Sequence, residues 1–236
     1  MKHFTVSEYI TPQEAEAIIQ SCPKERDQII LRTMWETGGR VSEVLSLIPD
    51  YIDPINNCIY LPNLKQNAVK RNDSESDDDY KVRRDRLHRE RKPPLKRVFL
   101  FPESTLCHAL LQWAKDNEIA RQDWIFPGRS RIGQVSATYV WYLLSGVRRS
   151  EDKWKRRDGL ATSLGIRKIK KGGLQAAWPH TFRHGMAMLT YHRTGRLDIV
   201  QKQLGHSSVQ TTETYAQLTD DDRRNIINKN INIGEQ

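Results

Sequence analysis

The first part of the chain places apolar residues at the three- and four-residue spacing of helices. Residues 11–14 (TPQE) combine an N-cap threonine, a proline at the first helical position and a glutamate three residues after the cap, so they predict a helix start. A second helix is predicted from about Lys24 to Glu36, and Gly38-Gly39 ends it. A short third helix is predicted from Val41 to Leu47.

Two runs with the composition of strands follow, Cys58 to Leu61 and Arg97 to Phe101, and they are expected to pair as an antiparallel hairpin. Helical spacing returns after Ser104 and again from Val135 to Leu144. The pattern therefore predicts a mainly α-helical protein with a small antiparallel β-sheet, an α+β fold.

Composition narrows the class of protein. The chain has 236 residues and a formal net charge of +9, which fits one domain with an anionic polymer as a natural partner. Many basic proteins bind no nucleic acid, so charge alone leaves that partner open. The three cysteines are odd in number and widely spaced, which predicts buried thiols and neither a disulfide frame nor a metal site. No apolar stretch is long enough to span a bilayer, so we expect a cytoplasmic protein.

Two stretches concentrate the positive charge. The connection 62–96 is highly charged, acidic from Asp73 to Asp79 and basic from Lys81 onward, so we expect a mobile insertion. It is either a solvated loop or a DNA-contacting finger. The second basic stretch runs from Arg148 to Lys171. The predicted nucleic-acid contacts from both stretches are Lys81, Arg83, Arg84, Arg148, Arg149, Lys168, Lys170 and Lys171.

The last third of the chain carries four side chains that suit phosphodiester chemistry. His180 and Arg183 lie one helical turn apart, His206 follows Arg183 by 23 residues, and Tyr215 follows His206 by nine. Arginine binds phosphate charge, histidine transfers protons and tyrosine can attack phosphorus. Each residue alone is more often an ordinary surface or core side chain, so the signal lies in their combination.

The combination resembles the tyrosine recombinase (phage integrase) family. The motifs that carry the resemblance are HTFRH at 180–184, LGHSS at 204–208 and TTETYAQL at 211–218. Upstream, TGGRVSEVL at 37–45 resembles the family's first arginine motif, with Arg40 after a helix-ending glycine and Glu43 three residues later. The resemblance extends from about Thr11 to Leu218 and implies the family's catalytic-domain fold.

The resemblance also implies a role for each matching residue. Arg40 and Arg183 would clamp the scissile phosphate, His180 would transfer protons and His206 would bond a phosphate oxygen. Tyr215 would attack and form a 3′-phosphotyrosyl link, with Glu43 supporting the site. Lys65, which follows the first predicted strand, is assigned to protonate the 5′-oxygen, with Lys70, Lys92 and Lys96 as alternatives. No metal, ATP or other cofactor is expected.

Partners and organisation follow from the same resemblance. The expected partner is double-stranded DNA, bound by a homotetramer at paired sites, and the 220–236 tail is either packed on its own domain or exchanged between subunits. Residues 1–10 are expected to be a short extension, without the separate core-binding domain that integrases usually carry, so the chain is either a naturally short recombinase or a catalytic fragment. Two alternatives stay open: a type IB topoisomerase, and a catalytically silent DNA-binding regulator.

Overall fold

A computed structural model describes residues 9–64, 76, 79, 94–128, 133–146, 158–170 and 173–205, with backbone alone at 169–170 and 173–174. Most of the charged insertion 62–96 and all of the 220–236 tail lie outside this range. The described part is mainly helical with a small antiparallel sheet, as the sequence pattern predicts, and it contains a second, two-stranded antiparallel sheet.

The first three helices have the bounds α1 Pro12–Gln20, α2 Glu25–Thr37 and α3 Val41–Leu45. The predicted capping box at the start of α1 is confirmed, because the Thr11 hydroxyl accepts from the Glu14 amide and the Glu14 carboxylate accepts from the Thr11 amide. Helix α2 ends at Gly38, whose left-handed backbone (φ 60°) turns the chain sharply into α3.

The three-stranded sheet has the order β1-β2-β3, with β1 Ile52–Asp53, β2 Cys58–Pro62 and β3 Leu95–Phe99. Strands β2 and β3 pair antiparallel from Cys58 opposite Phe99 to Pro62 opposite Leu95, which confirms the predicted hairpin. Leu95 and Phe99 are exposed on β3 while Val98 is buried, so one face of the strand packs on the core.

The remaining described helices are α4 Leu106–Asp116, α5 Ala137–Ser145, α6 Leu160–Ser163, α7 Pro179–Thr194 and α8 Leu197–Leu204. Strands β4 Arg167–Lys170 and β5 Gly173–Ala176 form a second hairpin, which the sequence reading missed because it treated the segment only as a basic stretch.

The core joins these elements around α2, which packs against α1, α4 and α7. Trp35 of α2 meets Phe182 of α7 edge to face, with ring centroids 6.4 Å apart. A smaller apolar cluster holds α7 against α8 through Ala187, Met188, Val200 and Leu204. All three cysteines are buried and free, as predicted. Within the described ranges, no helix is long and apolar enough to cross a membrane.

Candidate active site

The first arginine motif lies at the start of α3. Arg40 is the N-cap residue of this helix, and Glu43 occupies the third helical position. One Glu43 oxygen accepts from the Arg40 backbone amide at 3.0 Å, while the other accepts from Nη1 of Arg40 at 2.6 Å. The single buried carboxylate thus caps the helix and orients the guanidinium, which remains 29% exposed.

The second arginine, Arg183, comes from the first turn and a half of α7. Its side chain is 2% exposed, and its two terminal nitrogens donate to backbone carbonyls: Nη1 to Gly38 at 2.7 Å and Nη2 to Leu204 at 2.8 Å. Gly38 caps the C-terminus of α2 and Leu204 is the last residue of α8. Carbonyls at helix C-termini carry partial negative charge, so both helices help to hold this cation.

Helix α7 begins at Pro179, directly after Trp178, and proline suits the first helical position because its fixed φ is helical and its missing amide is not needed there. His180 and Arg183 lie in its first turns as predicted, but their environments differ: His180 is exposed, whereas Arg183 is buried. The ring of His184 meets that of His180 edge to face, with centroids 5.0 Å apart. Burial, followed by the positive charges of His180 and Arg183, lowers the pKa of His184 to about 4.

Lys96 also reaches this site. Its Nζ donates to the Leu204 carbonyl at 3.0 Å and lies 3.7 Å from Oε2 of Glu43. Burial lowers the pKa of Lys96 to about 8; the neighbouring Arg183 and Arg40 add to this shift, and Glu43 opposes it. Arg40 and Lys96 therefore face one carboxylate, and Arg183 shares the Leu204 carbonyl with Lys96, which leaves a local excess of positive charge suited to a phosphate.

The sequence signal for Lys96 was available in the alternation of β3. Lys96 precedes the buried Val98 by two residues, so the pleat directs both side chains to the same face. By residue type and position alone, Lys96 is only an alternative to Lys65. His184 carried a signal as well, because residues four apart on a helix lie on one face, so its spacing from His180 predicts their contact.

One predicted nucleic-acid contact is corrected. Lys168 is fully buried in β4, and its Nζ donates to Oε2 of Glu14 at 2.5 Å. Its charge therefore stabilises the junction of β4 and α1 and is not presented to a polymer at the surface. The same pleat rule accounts for the error, since Lys168 follows the buried Ile166 by two residues.

The structure thus brings Arg40, Glu43 and Arg183 to one region, with His180 at the start of the helix that carries Arg183. The remaining predicted residues lie outside the described residues: Lys65, Lys81, Arg83, Arg84, Arg148, Arg149, Lys171, His206, Tyr215 and the side chain of Lys170. Among the residues that are described, no three histidines, cysteines or acidic side chains cluster in a way that could hold a metal ion.

Comparison with known proteins places this arrangement among enzymes of DNA rearrangement. The sequence model of the phage integrase family matches residues 8–222. A resolvase of Escherichia coli is 23% identical over 227 residues, which cover 92% of this chain and 76% of the resolvase. Transposase A from transposon Tn554 of Staphylococcus aureus is 27% identical over 218 residues, 92% of this chain and 50% of the transposase. The chain thus spans about half the length of this transposase.

Solved structures share the fold. A crystal structure of XerA recombinase gives a TM-score of 0.60 at 18% identity and covers 98% of this chain and 66% of that one. The post-cleavage complex of XerH site-specific recombinase with a palindromic difH substrate gives 0.63 at 16% identity, over 94% of this chain and 53% of that one.

Proposed function

The chain belongs to the phage integrase family, and we propose that it cleaves and rejoins DNA at specific sites as a tyrosine recombinase. The observation that carries the proposal is the junction where Arg40 and Lys96 approach the Glu43 carboxylate and Arg183 is held by the carbonyls of Gly38 and Leu204. Such a site suits the non-bridging oxygens of a phosphodiester, whose charge grows or redistributes during cleavage.

In the proposed reaction, the Tyr215 hydroxyl attacks phosphorus and loses its proton, with His180 acting in proton transfer. A 3′-phosphotyrosyl bond forms as the bond to the 5′-oxygen breaks, and Lys65 gives that oxygen a proton. Arg40 and Arg183 stabilise the phosphate, His206 bonds one of its oxygens, and Glu43 fixes Arg40. Because the phosphotyrosyl link retains the free energy of the broken phosphodiester bond, rejoining reverses these steps without ATP. The cations of the site make a metal ion unnecessary.

Double-stranded DNA is the proposed substrate, and recombination of two sites requires about four copies of the chain. The matching solved structures include XerH bound to difH substrate and a Tn1549 transposon integrase bound to transposon right end DNA, which supports a DNA substrate of this kind. The basic residues of 81–84, 148–149 and 170–171 are proposed to contact phosphates. Lys168 is left out of this set because it is buried.

A nicked suicide substrate tests the proposal. Duplexes tiled across the DNA that flanks the gene carry a nick beside each candidate cleavage position, so that a cleaved strand dissociates and rejoining fails. The wild-type chain is expected to form a protease-sensitive adduct on denaturing gels, and Tyr215→Phe is expected to bind DNA without forming one.

Three other results would redirect the assignment. An adduct formed by Tyr215→Phe would place the nucleophile elsewhere. Relaxation of supercoiled plasmid without exchange between two sites would identify a type IB topoisomerase. Sequence-dependent binding with no adduct on any duplex would identify a silent DNA-binding protein.

A further inference from the structure

Lys96 connects three elements of the site. It extends from the inward face of β3, its amino group bonds the last carbonyl of α8, and it faces Glu43 at the start of α3. Its alkyl chain crosses the backbone at Gly205, where a Cβ would lie only 2.5 Å from Cδ of Lys96. Gly205, whose φ is 66°, has no side chain and therefore leaves space for the Lys96 side chain to pass.

The two acceptors of Lys96 are also the acceptors of the two arginines. The Leu204 carbonyl receives Arg183 at 2.8 Å as well as Lys96 at 3.0 Å. The Glu43 carboxylate receives Arg40 at 2.6 Å and lies 3.7 Å from Lys96. The Lys96 ammonium thus lies between the Leu204 carbonyl, which accepts from Arg183, and the Glu43 carboxylate, which accepts from Arg40.

The contacts of the Lys96 ammonium suit a supporting role. The side chain is only 12% exposed, and its amino group is directed at acceptors of the protein itself. The hydrogen bond to the Leu204 carbonyl is strengthened by the lysine's charge, and the ammonium attracts the Glu43 carboxylate at 3.7 Å, so this bridge can fix both groups.

We propose that Lys96 is a positioning residue that bridges the Leu204 carbonyl and Glu43 and so holds Arg183 and Arg40 in one geometry around the phosphate. The inference rests on the proposed recombinase function and adds a residue to its site. Lys65 keeps the role of general acid.

The first test is the single-turnover rate of adduct formation on a nicked duplex that the wild type cleaves. Lys96→Met keeps the alkyl chain that passes Gly205 and removes the charge, and it is expected to slow cleavage by about 10- to 100-fold, the effect of a small misplacement of catalytic groups. Lys96→Arg, which keeps the charge, is expected to recover part of this loss. Lys115→Met removes an exposed lysine of α4 and serves as the matched control. Equal rates for Lys96→Met and the wild type would refute the proposal.

A double-mutant cycle with Arg183→Ala asks whether Lys96 acts through that arginine. If it does, adding Lys96→Met to Arg183→Ala costs less than about threefold, because the group being positioned is already gone. If Lys96→Met slows cleavage by the same factor in the wild type and in Arg183→Ala, Lys96 acts independently of Arg183. Rates are expressed per folded molecule, determined from the circular dichroism of each variant, so that a loss of folded protein does not imitate the result.

A substrate with sulfur in place of the bridging 5′-oxygen separates positioning from general-acid catalysis. Thiols have a pKa near 8.5, so the sulfur leaves as a thiolate without needing a proton. Cleavage by Lys65→Met is expected to recover on this substrate, whereas cleavage by Lys96→Met stays slow. Recovery of Lys96→Met would make Lys96 the general acid and overturn the proposal. Failure of the wild type to cleave either substrate would instead refute the recombinase function.

The pH profile provides a further readout. The charged groups near Lys96 among the described residues are Glu43, Arg183 and Arg40, and the pKa of Lys96 is lowered to about 8. Wild-type cleavage is expected to decline as the pH rises through 8 and the bridge loses its charge. The same decline in Lys96→Met would contradict this role.

Discussion

Two lysine–glutamate pairs inside this protein show how similar residues can serve different ends. Lys168 and Glu14 are both fully buried and bond at 2.5 Å, where β4 meets the start of α1. Lys96 and Glu43 lie 3.7 Å apart, and Glu43 also holds Arg40. In the first pair, Lys168 bonds Glu14 inside the protein and stabilises the fold. In the second, both Arg40 and Lys96 face Glu43 and Arg183 lies beside Lys96, so the surplus charge can attract a phosphate.

The difference extends to the neighbouring groups. Glu14 uses the oxygen that meets Lys168 to cap α1 at the Thr11 amide as well, so this pair completes a local helix end. Glu43 also caps its helix, but the carbonyl of Leu204 links its lysine to Arg183 and hence to α8. The Lys168–Glu14 pair lies at the junction of β4 and α1, so we assign it a structural role. The Lys96–Glu43 pair connects Arg40 and Arg183, which is why we propose a positioning role for Lys96.

The largest expected effect concerns the buried Lys168–Glu14 pair. Lys168→Met leaves the Glu14 carboxylate buried without its counter-ion, and removal of one member of such a pair costs about 3 to 5 kcal/mol of unfolding free energy. Urea unfolding measures this loss. The double variant Lys168→Met with Glu14→Gln removes both charges, retains a capping side chain and is expected to recover much of the stability. Weaker DNA binding with unchanged unfolding would instead restore Lys168 as a DNA contact.

The next largest effect concerns Arg183, the arginine that Lys96 is proposed to position. Arg183→Ala is expected to slow single-turnover cleavage by about 10²- to 10³-fold, the usual loss when one donor to a developing oxyanion is removed. Arg193→Ala is the matched control, because Arg193 belongs to the same helix but forms an exposed ion pair with Glu103. Similar rates for the two variants would contradict the role of Arg183 in the site.

The burial of His184, together with the nearby charge of Arg183, should also appear in the acid stability of the protein. The pKa of His184 is lowered to about 4 from an ordinary 6.5, so on acidification the unfolded chain takes up this proton first. Stability contributed by neutral His184 is therefore present above pH 6.5 and is lost as the pH falls toward 4, by up to about 3 kcal/mol. Urea unfolding across this range should show a shallower decline for His184→Gln than for the wild type. Identical slopes would contradict the shift.

The smallest effect separates backbone strain from contact with the site. Gly38→Ala and Gly195→Ala both place alanine at a left-handed residue, which costs about 1 to 2 kcal/mol each. A Cβ at Gly38 would also lie 2.7 Å from Cδ2 of Leu204, whereas at Gly195 no described atom lies within 4 Å of it. Only Gly38→Ala is therefore expected to slow cleavage, by about 3- to 10-fold, through displacement of Leu204. Equal cleavage by both variants would argue against this coupling.

Local sequence rules predicted the described fold well where short-range chemistry determines it. The capping box at Thr11 and Glu14, the stop at Gly38 and the β2–β3 hairpin follow from neighbouring residues, and the structure confirms them. The rules failed for Lys168, because residue type suggested a surface cation while the pleat of β4 directed it inward. Burial of a charge depends on a partner from a distant segment, here Glu14, which composition does not reveal.

The site shows the same division. Motif order identified Arg40, Glu43, His180 and Arg183 as candidates, and the fold brings the two arginine motifs to one region. The carbonyls that hold Arg183, from Gly38 and Leu204, could not be inferred from residue types because every residue has a carbonyl. The roles of Lys65, His206 and Tyr215 remain predictions from the sequence.

Identification of the residue that becomes linked to DNA is the most direct test of the central claim. The adduct trapped on a nicked duplex is digested with protease and nuclease, and the peptide that carries the residual nucleotide is sequenced by mass spectrometry. The proposed mechanism predicts a 3′-phosphonucleotide on Tyr215 in the wild type and no modified peptide from Tyr215→Phe. A nucleotide on any other residue would contradict it.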